Sequence, residues 1–239
     1  METYQQAIQY NNAGVQALVD CNDSLAVESL SKSIRIMKQS LVKIPEKDQS
    51  SLDEDYSFCF GGEEDSDSHE TVQLPNVEPG QETFLFNQAL HLNDKVGYCS
   101  ITTTTEPSEQ EIHLHTATVI FNLALAHHRR GLKNCSSALL IKSEKLYNML
   151  LKLVAHHGYN TSRMALTVKL ASIYNLASLR FDAGNFEGAR EGLGELANIV
   201  HTDSHSGPIT NLPMFQEPDL RDLLVNVLTL KPPRVAPAA

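Results

Sequence analysis

The stretch Asn175-Leu176-Ala177 through Gly184-Asn185-Phe186-Glu187-Gly188-Ala189 has the spacing of two helices packed around a tight turn. Its small residues, Ala177 and Ala189, allow the two helices to approach closely. Gly184 can adopt the left-handed conformation that ends a helix, and Asn185 can cap the next helix. The stretch therefore predicts a helical hairpin.

Two earlier parts of the chain repeat this pattern imperfectly. Residues Asn12 to Gly14 begin the first copy, whose turn carries Cys21 where glycine is expected, so we expect Asn22 to take the left-handed conformation. Residues Asn122 to Ala124 begin the second copy. There we expect Gly131 to end the helix, followed by a longer connection than in the other copies.

This pattern resembles the tetratricopeptide repeat (TPR), a helix-turn-helix unit of about 34 residues. The resemblance implies an all-α fold: an α-α superhelix of about three irregular TPR-like helical hairpins plus a C-terminal capping helix, with an acidic loop and a small β-hairpin inserted after the first hairpin. The chain is predicted to form a single helical domain at 1–230, followed by a flexible tail at 231–239. Within the domain, the predicted parts are repeat one (3–42), an insertion (43–116), repeat two (117–157), repeat three (162–201) and a capping helix (217–229).

The insertion carries most of the charge imbalance. Twelve acidic residues and one basic residue lie between Glu46 and Glu82, while the formal net charge of the whole chain is -10. Residues 83–92 and 97–105 have the alternating or β-branched pattern of two strands. The rest of the chain is nearly neutral and lacks the basic stripe that nucleic-acid binding requires, so we expect no nucleic-acid partner.

The cysteine spacing, the N-terminal residues and the length of the apolar runs favour an intracellular protein, either cytoplasmic or nuclear. The four cysteines are widely spaced and form no Cys-x-x-Cys pair, which is typical of reduced thiols. The polar N-terminal residues lack the basic start and continuous apolar stretch of a signal peptide, so we expect none. No apolar run reaches the roughly 18 residues of a membrane span, so we expect no membrane partner.

No motif for nucleophilic catalysis or phosphate binding is present, and we expect no catalytic residue, cofactor or metal. Ten histidines still leave a metal-dependent enzyme as an alternative. Neighbouring histidines on a helix point about 100° apart and cannot share a metal. His113 and His115 would share a face on a strand.

The resemblance implies that the first helix of each repeat lines a concave groove that binds a peptide or helical partner. The candidate groove residues are Asn12, Phe121, Asn122, Leu125, His128, Arg129, Tyr174, Asn175, Ser178 and Phe181. The recurring asparagines have two possible roles: binding a peptide backbone, or tying one helix to the next. We predict a non-catalytic interaction scaffold or adaptor. A structural protein that self-associates through the groove, as a homo-oligomer, is a further alternative.

Overall fold

The fold is taken from a computed structural model, which describes residues 3–41, 86, 88–92, 107–156 and 163–204. These residues form helices and connecting segments without a β-strand, which confirms the all-α prediction. The capping helix expected at 217–229 and the tail lie outside the described residues. The helices are α1 (Tyr4–Val19), α2 (Asp23–Leu41), α3 (Glu109–Lys133), α4 (Ser137–His156), α5 (Arg163–Asp182) and α6 (Phe186–Ser204).

The chain divides into two compact units. Unit 1 consists of residues 1–79 and 87–160 and contains α1 to α4. Within it, α2 packs against both α1 and α3, α3 packs against α4, and α1 also contacts α3. Unit 2 consists of residues 80–86 and 161–239 and contains α5 packed against α6.

The same three-residue turn closes each of the three helix pairs α1–α2, α3–α4 and α5–α6. One residue in each turn has a positive φ angle: Cys21 (57°), Cys135 (51°) and Gly184 (77°). The N–H of the next residue donates a hydrogen bond of 2.8 to 2.9 Å to the carbonyl five residues earlier. This bond is typical of the Schellman motif, which satisfies carbonyls left free at a helix end.

The left-handed residue of the first turn is Cys21, so the prediction that Asn22 would adopt this conformation is wrong. Asn22 caps α2 instead, and its Oδ1 accepts a hydrogen bond of 3.2 Å from the N–H of Leu25. A capping residue requires extended backbone angles to reach that N–H. The left-handed conformation therefore falls to the residue before it.

Gly131 does not end α3, which continues to Lys133, and the connection that follows is no longer than the other two. Gly131 serves helix packing instead. A Cβ atom at this position would lie 2.6 Å from Cδ2 of Leu140 on α4. The glycine therefore allows α4 to approach α3 more closely than a larger residue would.

The third helix begins at Glu109, eight residues before the predicted start of repeat two. Ser108 caps it, with Oγ accepting a hydrogen bond of 3.2 Å from the N–H of Glu111. The predicted insertion therefore extends too far at its C-terminal end. His113 and His115 lie on this helix and not on a strand, so they do not share a face.

The predicted β-hairpin is not present in the part of the chain that the structure describes. Residues 86 and 88–92 belong to its first expected strand and carry no strand pairing. The second expected strand, 97–105, lies outside the described residues, as does the acidic loop before residue 86.

We predict that Cys21→Gly and Cys135→Gly each stabilise the protein. A left-handed conformation costs a non-glycine residue roughly 1–2 kcal/mol, while glycine adds about 0.5–1 kcal/mol of unfolded-state entropy. The expected net gain is about 0.5 kcal/mol for each substitution, measured by urea unfolding. Gly184→Ala is the matched control and should destabilise the protein; a loss of stability in both cysteine variants would contradict the prediction.

Candidate functional site

Asn12, in the middle of α1, binds both backbone polar groups of one residue outside the helices. The N–H of Leu92 donates to Oδ1 of Asn12 at 2.9 Å, and Nδ2 of Asn12 donates to the carbonyl of Leu92 at 2.8 Å. An asparagine in a helix usually competes for the backbone of its own helix. Here its amide is directed at another segment of the chain.

Asn122 on α3 binds Leu90 in the same way. The N–H of Leu90 donates to Oδ1 of Asn122, and Nδ2 of Asn122 donates to the carbonyl of Leu90, both at 2.8 Å. The two bound residues are two positions apart. In an extended chain, alternate residues direct their backbone groups to the same edge, so this interval indicates an extended backbone at residues 90–92.

Asn11 joins these two contacts into one network. Its Nδ2 donates to Oδ1 of Asn12 at 3.1 Å and to the carbonyl of Leu90 at 3.3 Å. Its Oδ1 accepts a hydrogen bond of 2.9 Å from Nδ2 of Asn122. We call Asn11, Asn12 and Asn122 the asparagine clamp and residues 88–92 the clamp segment.

The network fixes the orientation of every amide in the asparagine clamp. Each Oδ1 accepts at least one N–H, and each Nδ2 donates to at least one oxygen. Asn11 and Asn122 are fully buried. Because unpaired buried amides are costly, the clamp segment is needed to satisfy the helices that hold it.

Unit 2 contains the same type of contact between Asn175 on α5 and Phe86. The N–H of Phe86 donates to Oδ1 of Asn175 at 2.8 Å, and Nδ2 of Asn175 donates to the carbonyl of Phe86 at 3.2 Å. Asn175 is fully buried. All three recurring asparagines therefore bind a backbone N–H and C=O of a single residue, and Asn122 also ties α3 to α1.

The position of Asn122 relative to its turn differs from that of the other two asparagines. Asn12 and Asn175 each lie nine residues before the left-handed residue of their turn, whereas Asn122 lies thirteen residues before Cys135. Four residues are about one helical turn, so Asn122 keeps almost the same side of the helix.

Three of the other predicted site residues form the core of unit 1. Phe121, Leu125 and His128 are all buried on α3. The ring of Phe121 lies 6.2 Å from that of Tyr147 on α4, and the ring of His128 contacts the same tyrosine edge-on at 6.1 Å. The two aromatic contacts pack α3 against α4, and all three side chains are buried away from solvent.

Arg129 has a structural role at the end of the first helix pair. Its Nη1 donates a hydrogen bond of 2.9 Å to the carbonyl of Leu18, and its Nε lies 3.3 Å from Oδ1 of Asp23. A guanidinium beside the last carbonyls of α1 is favourable because the C-terminus of a helix carries partial negative charge. Arg129 therefore binds the α1–α2 turn of its own chain.

The remaining predicted residues lie on α5 in unit 2. Tyr174 is buried, and burial raises the pKa of its phenol to about 12. Ser178 is half-buried. Phe181 is 53% exposed and contacts Phe186 edge-on, with ring centroids 5.2 Å apart. Only Asn175 among these residues binds a backbone segment in the described contacts.

Leu90 and Leu92 were not predicted from the sequence as the residues that the asparagines bind. Asn11 was a usable signal, because it shares a helix face with the apolar residues Ile8 and Val15, and an amide on a buried face needs hydrogen-bond partners. The apolar alternation at Leu90 and Leu92 indicated an extended backbone but did not show what binds it.

Several histidines on α3 are buried in the uncharged form. Burial lowers the pKa of His127 to about 3, with Lys142 and Arg130 lowering it further, and burial lowers the pKa of His128 to about 4. Neither Nδ1 atom has a hydrogen-bond partner among the described residues. The part of the chain that the structure describes contains no group of three or more histidine, cysteine or acidic residues able to hold a metal ion.

Comparison with protein families, with curated proteins and with solved structures gave no match to this chain. The tetratricopeptide resemblance therefore stays a prediction from the sequence. None of the described helices is both long and apolar enough to cross a membrane.

We predict that Asn122→Asp destabilises the protein by at least about 2 kcal/mol, because it places a carboxylate oxygen against the carbonyl of Leu90 and Oδ1 of Asn11. Urea unfolding measures the loss. Asn22→Asp is the matched control: an aspartate caps α2 as well as asparagine does, so its stability should change by less than about 0.5 kcal/mol. Equal effects of the two substitutions would contradict the role of the Asn122 amide.

We predict that acidification below about pH 6.5 destabilises the protein partly through His127 and His128. Their folded-state pKa values are lowered to about 3 and about 4, so the unfolded chain binds more protons between those values and about 6.5. As the pH falls from about 6.5 towards its folded-state pKa, each histidine lowers the free energy of unfolding by about 1.4 kcal/mol per pH unit. Its contribution to stability is therefore fully present above about pH 6.5.

The unfolding free energy measured between pH 7 and pH 5 tests this dependence. His128→Gln should flatten the pH slope even if it lowers stability throughout. The exposed His91 provides the control substitution His91→Gln, which should leave the slope unchanged. A slope that is the same in all three proteins would contradict the assignment.

Proposed function

We propose that this protein is a non-catalytic interaction scaffold or adaptor that binds an extended segment of a partner protein. One observation carries the proposal: the asparagine clamp holds the N–H and C=O groups of Leu90 and Leu92 through side-chain amides. A partner peptide in an extended conformation presents the same groups with the same two-residue interval.

The chemistry of the clamp suits recognition of a main chain. One asparagine amide offers an acceptor and a donor, which match the N–H and C=O of a single residue. Recognition of this kind does not depend on the side chain of the bound residue. Peptide binding along a sheet edge gains affinity from main-chain hydrogen bonds in a comparable way.

The tetratricopeptide resemblance supports the same function. It implies that the first helix of each hairpin faces the ligand, and Asn12 and Asn122 lie on the first helices of their hairpins. The partner is accordingly a protein or peptide. The nearly neutral body lacks the basic stripe that a nucleic-acid partner requires.

The proposal is tested with the full chain carrying Leu90→Pro and Leu92→Pro, which removes both N–H groups donated to the clamp. A synthetic peptide of residues 87–95 is then added, up to millimolar concentration, and binding is followed by amide chemical shifts. We expect saturable binding with shifts at Asn12 and Asn122. Circular dichroism checks that the variant keeps its helices.

Two controls make the result specific to the clamp. A peptide N-methylated at Leu90 and Leu92 lacks the two donors and should bind at least about tenfold more weakly. A protein that also carries Asn12→Ala should lose affinity for the unmodified peptide. If the folded proline variant does not bind the unmodified peptide, or binds both peptides equally, the proposed function is wrong.

A further inference from the structure

Within the clamp segment, the side chains of residues 90–92 alternate in exposure. Leu92 is 1% exposed and Leu90 is half-buried, whereas the intervening His91 is exposed. The alternation does not extend to Gln88, which is exposed. At the clamped positions the side chain of Leu92 is therefore buried and that of Leu90 partly buried, while the residue between them is in contact with solvent.

Burial of the two leucines adds a selectivity that the backbone contacts lack. Transfer of a leucine side chain from water is favourable, while a charged side chain at the position of Leu92 would be buried. At the position of His91, a polar or charged side chain remains hydrated. The bound sequence is thus restricted at two alternate positions and unrestricted between them.

The clamp segment is tethered to unit 1 on both sides. Forty-six residues separate Leu41 at the end of α2 from Gln88, and sixteen residues separate Leu92 from Glu109 at the start of α3. A ligand in the same chain as its site binds in an intramolecular step, whose effective concentration does not depend on the protein concentration. A free peptide must compete with this internal ligand.

We infer that the asparagine clamp selects an extended partner peptide with the pattern apolar–any–apolar, and that residues 88–92 are an internal occupant which this peptide displaces. The inference rests on the proposed function and adds the ligand class and its regulation. The intact chain is then partly closed to its partner. The apparent affinity for a free peptide is reduced by the fraction of molecules in which the clamp is open.

The test compares the intact chain with the Leu90→Pro/Leu92→Pro variant, using three fluorescent peptides of residues 87–95. One peptide has the natural sequence, one carries Leu92→Asp, and one carries His91→Ser. Fluorescence anisotropy gives the affinity of each peptide for each protein. His91→Pro in the full chain is the matched protein control, because the described contacts show no bond between the His91 N–H and the clamp.

We expect the natural peptide to bind the proline variant at least about tenfold more tightly than the intact chain. The His91→Pro chain should behave like the intact chain. On the proline variant, the His91→Ser peptide should match the natural peptide within about twofold, and the Leu92→Asp peptide should bind at least about tenfold more weakly, consistent with the cost of burying a charge.

The outcomes separate this inference from the proposed function. Equal binding of the natural peptide to the intact chain and the proline variant would overturn internal competition but leave peptide binding intact. Equal binding of the Leu92→Asp and natural peptides would overturn the apolar pattern alone. Absence of binding to the folded proline variant would overturn both the inference and the proposed function.

Discussion

A buried amide needs partners for both its oxygen and its nitrogen, and this constraint governs the centre of unit 1. Asn11 and Asn122 lie without solvent contact between helices whose surroundings are otherwise mostly apolar. The helices offer the Oδ1 atoms no free backbone N–H, because the N–H groups in the middle of a helix already donate along the helix. The clamp segment supplies the missing groups. The helices and the segment are therefore mutually dependent: the segment gains an ordered backbone, and the helices gain partners for amides that would otherwise be costly to bury.

The three short turns share one backbone geometry, although the helices that they join differ in length. Each turn reverses the chain within three residues, using one left-handed residue and the hydrogen bond that follows it. Glycine is the usual residue for this conformation, yet two of the three turns use cysteine. The backbone geometry of the turn is thus retained where its preferred residue is absent. The position of the asparagine varies more than the turn does. Asn122 lies thirteen residues before the left-handed residue that follows it, whereas Asn12 and Asn175 lie nine residues before theirs.

Local patterns in the sequence predicted the helices, and they left open which of the two roles considered the recurring asparagines have. The predictions failed where the outcome depends on what a residue packs against. Periodicity at Phe121 and Leu125 indicates a helix, but α3 is covered on several sides, so residues expected in a binding groove lie in the core. Likewise, the two-residue alternation that includes Leu90 and Leu92 predicts an extended backbone without naming its partner. A neighbouring strand and a row of asparagine amides can satisfy the same N–H and C=O groups, and only the folded chain distinguishes them.

Recognition through N–H and C=O groups also determines which sequence changes the bound segment tolerates. At a clamped position, any residue with a free N–H presents the same two hydrogen-bonding groups, and only proline lacks the donor. The backbone contacts therefore exclude proline at the clamped positions and do not distinguish among the other residues. Two unrelated sequences with suitable apolar residues at alternate positions offer the clamp equivalent ligands. For a partner bound as proposed, sequence similarity is therefore a weaker guide to binding than backbone conformation.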